Sequence, residues 1–512
     1  MHSDFLMGGD SYPSLSVELR LIMLKTSENT LDPDDWPSFR KQGHDMLDDM
    51  FNYLEQLREQ PVWQGLSPEQ RETFQQPLSS APIDLAEAHA TFMKTIVPYA
   101  VGNAHPGFMG WVHGGGAPVG MLAEMLAAFL NANVGGRDQA PIELEKQLLQ
   151  WIKELFSFPE TANGLFVTGT SMANLISVLI ARTVYLGKAI RKEGLVNSAL
   201  QLVAYTSASA HVSIAQAMEI AGIGSNFLRM IPVNENYQMD VEALAKAIRS
   251  DKKSGLTPFF IAATVGTVDV GAIDPLSAIA ELAQLENLWF HVDGAFGALA
   301  ILAPDLAPRL QGIERADSIA FDFHKWGQVP YDAGFILVRN GEYQLDTFAS
   351  SVAYLSRETR GLSAGSPWPC DLGPELSRGF RALKTWFTIK VYGSEKLGQV
   401  ISNTCALAHY LKQLIELNPQ LELLAPVELN VVCFRYRCLS PNFVNAEIVI
   451  ALQESGIVAP STTTLHGQLA IRAAIVNHRT TTRDIDALIE ATLVFGEAIE
   501  NTLKPSLSQE KK

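Results

Sequence analysis

Cysteine is scarce in this chain. Only Cys370, Cys405, Cys433 and Cys438 occur in 512 residues, all late and without C-x-x-C spacing. That pattern speaks against a disulfide framework and for a reducing compartment. Charge is also sparse, at 18% of residues, and positive charge more so: 39 Lys and Arg against 55 Asp and Glu leave a formal net charge of -16. Nonspecific binding to nucleic acid or to an anionic membrane needs a basic surface, so neither partner is expected. Long apolar runs are missing as well. The stretch GMLAEMLAAFLNANVG is interrupted by Glu124 and Asn131 too soon to span a bilayer. The N-terminal residues show no basic region followed by an apolar core, so no secretory signal is expected and the chain reads as cytoplasmic. Several enzyme signatures are absent too. No glycine-rich turn runs into Gly-Lys-Thr/Ser, no convincing dinucleotide fingerprint occurs, and neither G-x-S-x-G nor H-E-x-x-H is found.

What is present is a globular composition: 47% hydrophobic residues, with 37 Gly and 26 Pro, rules out a long disordered, collagen-like or coiled-coil chain. The length predicts one large sheet-centred domain and at least one smaller one. Residues 1–95 read as a helical arm (VELRLIMLK, GHDMLDDMFNYLEQLRE, SPEQRETF, LAEAHATFMKTIV) whose apolar stripes need cover from the rest of the protein or from a second subunit. Residues 96–395 alternate helical segments with QLVAY, FLRMIPV, FFIAATVG, LWFHV, DSIAF and AGFILV. These strands are apolar throughout instead of alternating, the signature of a mostly parallel sheet covered by helices on both faces. A long helical stretch beginning at GPELSRGFRALKTW leads to residues 396–512, where LNVVCFRY and LAIRAAIV read as strands between helices, giving a small α+β unit.

The residues able to carry chemistry follow predicted strands, where open α/β sheets bind ligands. In DSIAFDFHKWGQVPYDAGFILV, strand DSIAF ends in a loop that carries Asp322, His324 and Lys325. Taken alone, Lys325 fits a solvated loop lysine; in a shielded pocket its amine becomes a nucleophile. Asp293 follows LWFHV and precedes Gly294 and Ala295. It fits either a turn cap or a carboxylate beside a flat ligand, and a nearby Lys325 would favour the second reading. Gly169, Thr170 and Ser171 open an apolar helix, as an ordinary N-cap or as a phosphate site. His211 begins the helix after QLVAY and is either a capping histidine or an imidazole over an aromatic cofactor. Thr267 and Asp269 in GTVDVGAIDPL fit simple turn polars as well as a site. A metal site is not expected: His291 and Asp293 lie two apart with no Cys/His cluster to complete a ligand set, and His105 and His113 flank a glycine-rich loop suited to structural or substrate-pocket roles.

The ordered set HPGFMGWVHGGG, TGTSMANL, SASAHVS, GTVDVGAIDPL, HVDGAFGA, DFHKW and FRALKTW resembles the pyridoxal-phosphate-dependent group II amino-acid decarboxylases over nearly the whole chain. The resemblance implies an α/β fold of the aspartate-aminotransferase type (fold type I), with a seven-stranded sheet in the large domain. It also implies a homodimer with shared active sites and an intertwined N-terminal arm. By the same resemblance, Lys325 is the lysine that carries the cofactor, Asp293 pairs with its ring nitrogen, and His211 stacks on the ring. Thr170 and Ser171 match phosphate-binding positions, His324 the histidine before the lysine, Thr267 a polar residue at the cofactor, and Ala295 the small residue under the ring. The implied reaction converts an L-amino acid to its amine and carbon dioxide. Two departures bear on this. Trp368 and Pro369 stand where the aromatic branch has an Asp-Tyr pair linked to protonation, and Trp111, Val112, His113 and Gly114 stand where it has Tyr-Phe-Pro-Thr. They leave open decarboxylation coupled to oxidative deamination, which gives an aldehyde, and a pyridoxal-phosphate-binding protein without turnover.

Overall fold

The computed structural model describes residues 30–196, 198, 200–350 and 358–509; the expected helix VELRLIMLK lies outside them. The described chain divides into two compact units, one made of its residues up to 55 with 77–94, the other of 56–76 with 95 onward. The first contains helices α1 (Trp36–Glu55) and α2 (Leu85–Thr95), neither with a buried residue. Its aromatic side chains Phe39, Phe51 and Phe92 are exposed.

The second unit is built on two sheets. Its strands, in chain order, are β1 (Phe108–Met109), β2 (Asn163–Val167), β3 (Leu202–Ser207), β4 (Leu228–Ile231), β5 (Thr257–Thr264), β6 (Trp289–Asp293), β7 (Ser318–Asp322), β8 (Gly334–Val338), β9 (Leu421–Leu423), β10 (Val431–Tyr436), β11 (Ala459–Leu465) and β12 (Gln468–Ala474). Seven form the large sheet in the order β2-β8-β7-β6-β5-β3-β4. The pairs from β7 through β4 are parallel, whereas β8 runs antiparallel to both its neighbours. The expected mostly parallel seven-stranded sheet is therefore present.

Its strands are apolar on both sides because both faces are covered. Phe166, Ile261 and Ala263 enter one core, and their neighbours Leu165, Val167, Phe260 and Ala262 enter the other, as side chains of period two must. Covering helices include α3 (Pro118–Leu130), α4 (Ala140–Leu155), α5 (Thr170–Leu186), α6 (Ser213–Ile220), α7 (Val241–Lys253) and α8 (Leu276–Glu286). Helix α8 shows how such units close: Asn287 takes a left-handed conformation (φ 56) with its N–H on Ala283 O, and the chain reverses into β6.

Helix α9 (Arg381–Leu417) carries the chain to the small sheet and breaks at Gly393, where φ is 75. The five-stranded order is β1-β11-β12-β10-β9, antiparallel except for the β1–β11 pair. With helices α10 (Pro441–Glu454) and α11 (Thr482–Gln509), it buries Val432, Phe434, Ile448, Ile471, Ala473 and Leu488. Strands β1, β2, β9 and β11 were not among those read from the sequence; β11 (APSTTTL) is polar enough to pass for a loop.

A buried ion pair locks the segment before α9 to the large sheet. Arg378 donates to both oxygens of Glu145 on α4 (2.6 and 3.2 Å) and to the carbonyls of Val134 and Phe166. Removing one member leaves the other charged without water. Arg378→Met is expected to lower stability by about 3–5 kcal/mol, and the double change with Glu145→Leu to recover part of it; urea unfolding of the three proteins measures both effects.

Candidate active site

Parallel strands end on one side of the sheet, and there the chain leaves a cavity of about 370 Å³. Residues after β2, β3, β5, β6 and β7 line it, with Trp111, Val112 and His113 from the loop after β1 and Arg472 from β12. Two close backbone approaches shape it. A Cβ on Gly114 would lie 2.4 Å from the carbonyl oxygens of His324 and Lys325, and one on Gly334 would lie 2.4 Å from Gly169 Cα. Side chains at either position would push the walls apart.

Lys325, Asp293, His211, Thr170, Ser171, Ala295 and His324 all line this cavity. Lys325 Nζ lies 3.0 Å from Asp322 Oδ2, whose carboxylate is buried. Asp293, at the end of β6, is 2% exposed. Its Oδ1 accepts from Ala295 N (3.1 Å) and its Oδ2 from Asn174 Nδ2 (2.9 Å). Burial pushes its carboxyl above the usual range; the Asn174 bond, the Lys325 charge, the Ala295 N–H and His211 pull it back. A cation on the cavity side would favour the ionised form further.

His211 accepts the Ser213 N–H at Nδ1. His324 accepts from Ala333 N at Nδ1, and burial lowers its basicity. His113 stacks on Phe108 (ring centroids 5.8 Å apart) and is lowered by burial and by Lys325. Tyr331, whose phenol is pushed up to about 12 by burial and by Asp322, packs against His324.

Thr267 is the exception among the expected residues. It is fully buried, its Oγ1 accepts from Ala272 N, and it closes the turn below the cavity while Thr264, Gly266 and Val268 form the lining. His105 accepts from Gly107 N in a turn and does not line the cavity. Trp368 also lies outside it, buried, with its indole N–H on Ala364 O and the Arg137 guanidinium 4.5 Å above its ring. Sequence reading missed Arg472, Ser213 and Asn174. A lone arginine in the apolar strand LAIRAAIV and a lone amide on the buried face of α5 were the available signals.

An anion fits one end of the cavity. Helix α5 begins at Thr170 with no side-chain cap, and its first N–H groups have no acceptor within the helix. Thr170 Oγ1 is buried without a hydrogen-bond partner, which a phosphate oxygen would supply. A phosphate there, a carboxylate at Asp293 and an amine at Lys325 match the three functional ends of pyridoxal phosphate.

Comparison with known proteins agrees. Residues 68–437 match the family model described as the pyridoxal-dependent decarboxylase conserved domain. The chain belongs to that family, whose members use pyridoxal phosphate to decarboxylate L-amino acids. Within it, the chain is 32% identical to the aromatic-L-amino-acid decarboxylase of Bacillus atrophaeus, over 87% of this chain and 93% of that protein. It is 29% identical to a phenylacetaldehyde synthase of Arabidopsis thaliana, over 88% and 94%. The crystal structure of Oryza sativa TDC with PLP and tryptamine superimposes with a TM-score of 0.84, at 23% identity, over 92% of this chain and all of that one. The architecture is thus fold type I, with a large mixed-sheet domain, a small C-terminal α+β domain and N-terminal helices. Among the described residues, no helix is long and apolar enough to cross a membrane.

The unpaired Thr170 hydroxyl makes a two-sided prediction. Thr170→Val keeps the shape and removes the orphan, so the cofactor-free protein should gain about 1–3 kcal/mol by denaturant unfolding. The same variant should bind pyridoxal phosphate more weakly by titration; a stability loss without weaker binding would contradict an anion at this position.

Proposed function

We propose that the protein decarboxylates an L-amino acid to the corresponding amine, releasing carbon dioxide. The observation that carries this reading is the convergence of Lys325, Asp293 and the unpaired Thr170 hydroxyl on one cavity. In this reading Lys325 anchors pyridoxal phosphate covalently, Asp293 pairs with its ring nitrogen, and His211 covers its ring. Thr170 and Ser171 hold the phosphate, and Ala295 leaves room beneath the ring. Bound there, pyridoxal phosphate supplies the sink for the electron pair left on the α-carbon when the carboxylate departs. The chain's own part is to orient that carboxylate for departure, exclude water and return a proton. Lys325 and Tyr331 both line the cavity as protic groups, and the high phenol pKa keeps Tyr331 protonated. Either supports amine as the product although Trp368 lies outside.

The lining also favours a flat or apolar substrate side chain over an acidic one. Trp111, Val112, Phe296 and Tyr331 offer apolar surface. The nearby cation Arg472 is already engaged by the carbonyls of Gly110, Val268 and Asp269 and by Ser461. The Bacillus atrophaeus relative, an aromatic-L-amino-acid decarboxylase by name, points the same way. A second reading, oxidative deamination to an aldehyde, draws on the phenylacetaldehyde synthase relative and on the position of Trp368 outside the cavity.

A homodimer is part of the proposal. Leu122, Met125, Leu126 and Phe129 form an exposed apolar face on α3, at spacings of one helical side, and a second copy is the occupant the family resemblance implies. The cytoplasm as its location is part of the proposal as well, on the scarcity of cysteine and the lack of C-x-x-C spacing.

The cofactor-loaded enzyme, given aromatic, imidazole-bearing, acidic and basic L-amino acids, is expected to release amine and carbon dioxide in equal amounts without consuming oxygen. Aldehyde and ammonia formed with oxygen uptake would replace this reading with the second one. Lys325→Ala should leave the fold intact and abolish covalent cofactor attachment. Borohydride reduction and peptide mapping of the parent should find the pyridoxyl group on Lys325; a label on another lysine would refute the assignment.

A further inference from the structure

Asp293 is backed by a line of buried polar groups that the reaction itself does not use. Asn174 Nδ2 donates to Asp293 Oδ2 (2.9 Å) and to Ser213 Oγ (3.0 Å). Asn174 Oδ1 lies 2.8 Å from His291 Nε2, and His291 Nδ1 lies 2.9 Å from Ser318 Oγ. Ser318 Oγ in turn accepts from Trp289 Nε1 (2.8 Å) and lies 2.7 Å from Ser177 Oγ. Asn174, Ser177, His291 and Ser318 are all fully buried.

The chemistry of these groups allows one arrangement of protons when Asp293 is ionised. A carboxylate only accepts, so Asn174 must turn its amide nitrogen toward it and its oxygen toward His291. His291 must then carry its proton on Nε2. Burial pulls the basicity of His291 down to about 3, so the ring is neutral and Nδ1 is an acceptor. Ser318 therefore donates to Nδ1 and leaves its lone pairs to Trp289 and Ser177. An indole N–H can only donate, so the Trp289 bond keeps its direction and fits this arrangement. Every bond from Trp289 onward points its hydrogen toward Asp293. With Ala295 N on the other oxygen, both carboxylate oxygens meet donors from the protein.

We propose that Asn174, His291 and Ser318 are positioning residues that hold Asp293 ionised and aimed into the cavity, so that the site selects a ligand ring bearing a protonated nitrogen. This rests on the reading that pyridoxal phosphate binds with its ring nitrogen at Asp293. If His291 is lost, nothing donates to Asn174 Oδ1, and the amide is free to turn that oxygen toward the carboxylate.

Two probes separate positioning from simple support of the fold: pyridoxal phosphate, and its analogue with C–H in place of the ring nitrogen. Both carry the same aldehyde and phosphate, so the ratio of their dissociation constants reads the Asp293 contact alone. The parent should prefer the nitrogen-bearing probe by about tenfold or more, the equivalent of one pKa unit of differential interaction. Asp293→Ala should abolish that preference, and His291→Phe should remove most of it. His291→Gln, whose amide still donates toward Asn174, should restore part. Ser318→Ala, a smaller change at the far end, should reduce it less and serves if His291→Phe does not fold. A merely structural role would weaken both probes alike, so an unchanged ratio in His291→Phe and Ser318→Ala would overturn the inference while leaving the cofactor site standing. A parent without preference would remove the Asp293 reading and this inference with it, and a parent that binds neither probe would remove the cofactor site.

Discussion

The rest of the site depends on a carboxylate kept almost without water at the end of a strand. Asp293 sits 2% exposed at the end of a central strand, between Thr264 on β5 and Ala320 on β7, and an ionised group so placed must be compensated or it will take up a proton. Here compensation comes from two directions. Behind are fixed donors, the Asn174 amide and the Ala295 N–H; in front is a cavity that also holds Lys325. The donors behind cost nothing to reorganise when charge develops in front, which is the general advantage of preorganised polar groups in a closed site.

The parallel sheet is what brings the acid and the amine together. Strands β6 and β7 are adjacent and in parallel register, with Asp293 opposite Ala320, so both chains emerge on the same edge. Asp293 is the last residue of its strand, and Lys325 lies three residues beyond the end of the next. Had β7 run the other way, the same residues would lie at opposite ends of the sheet. The antiparallel reversal at β8 then returns the chain so that Gly334 meets Gly169, just before Thr170 at the start of α5.

The small sheet completes what the large one begins. Arg472 leaves β12 and gathers the carbonyls of Gly110, Val268 and Asp269. Residues from three distant stretches are thereby held over one cavity. Its charge serves as a tie for backbone, which accounts for a buried cation in the cavity wall.

Strand type, helix periodicity and the residues at strand ends are local properties, and the sequence carries them. The unbroken apolar runs of β3, β5, β6 and β7 could only suit a sheet covered on both faces. Lys325, Asp293 and His211 stood out because each follows such a run, and Thr170 and Ser171 because they open an apolar helix. Other features were illegible because they depend on partners far along the chain. Thr267 looks like a site residue until the turn folds its hydroxyl back onto Ala272 N. Asn174 and His291 are unremarkable polar residues until α5 is laid across β6. Their hydrogen bonds join residues 117 positions apart, and no local pattern encodes which face of a helix meets which strand. The sequence by itself determined the elements and the chemical groups available. Only the tertiary structure decided which groups share one cavity, because burial and hydrogen-bond direction exist only after distant segments have packed.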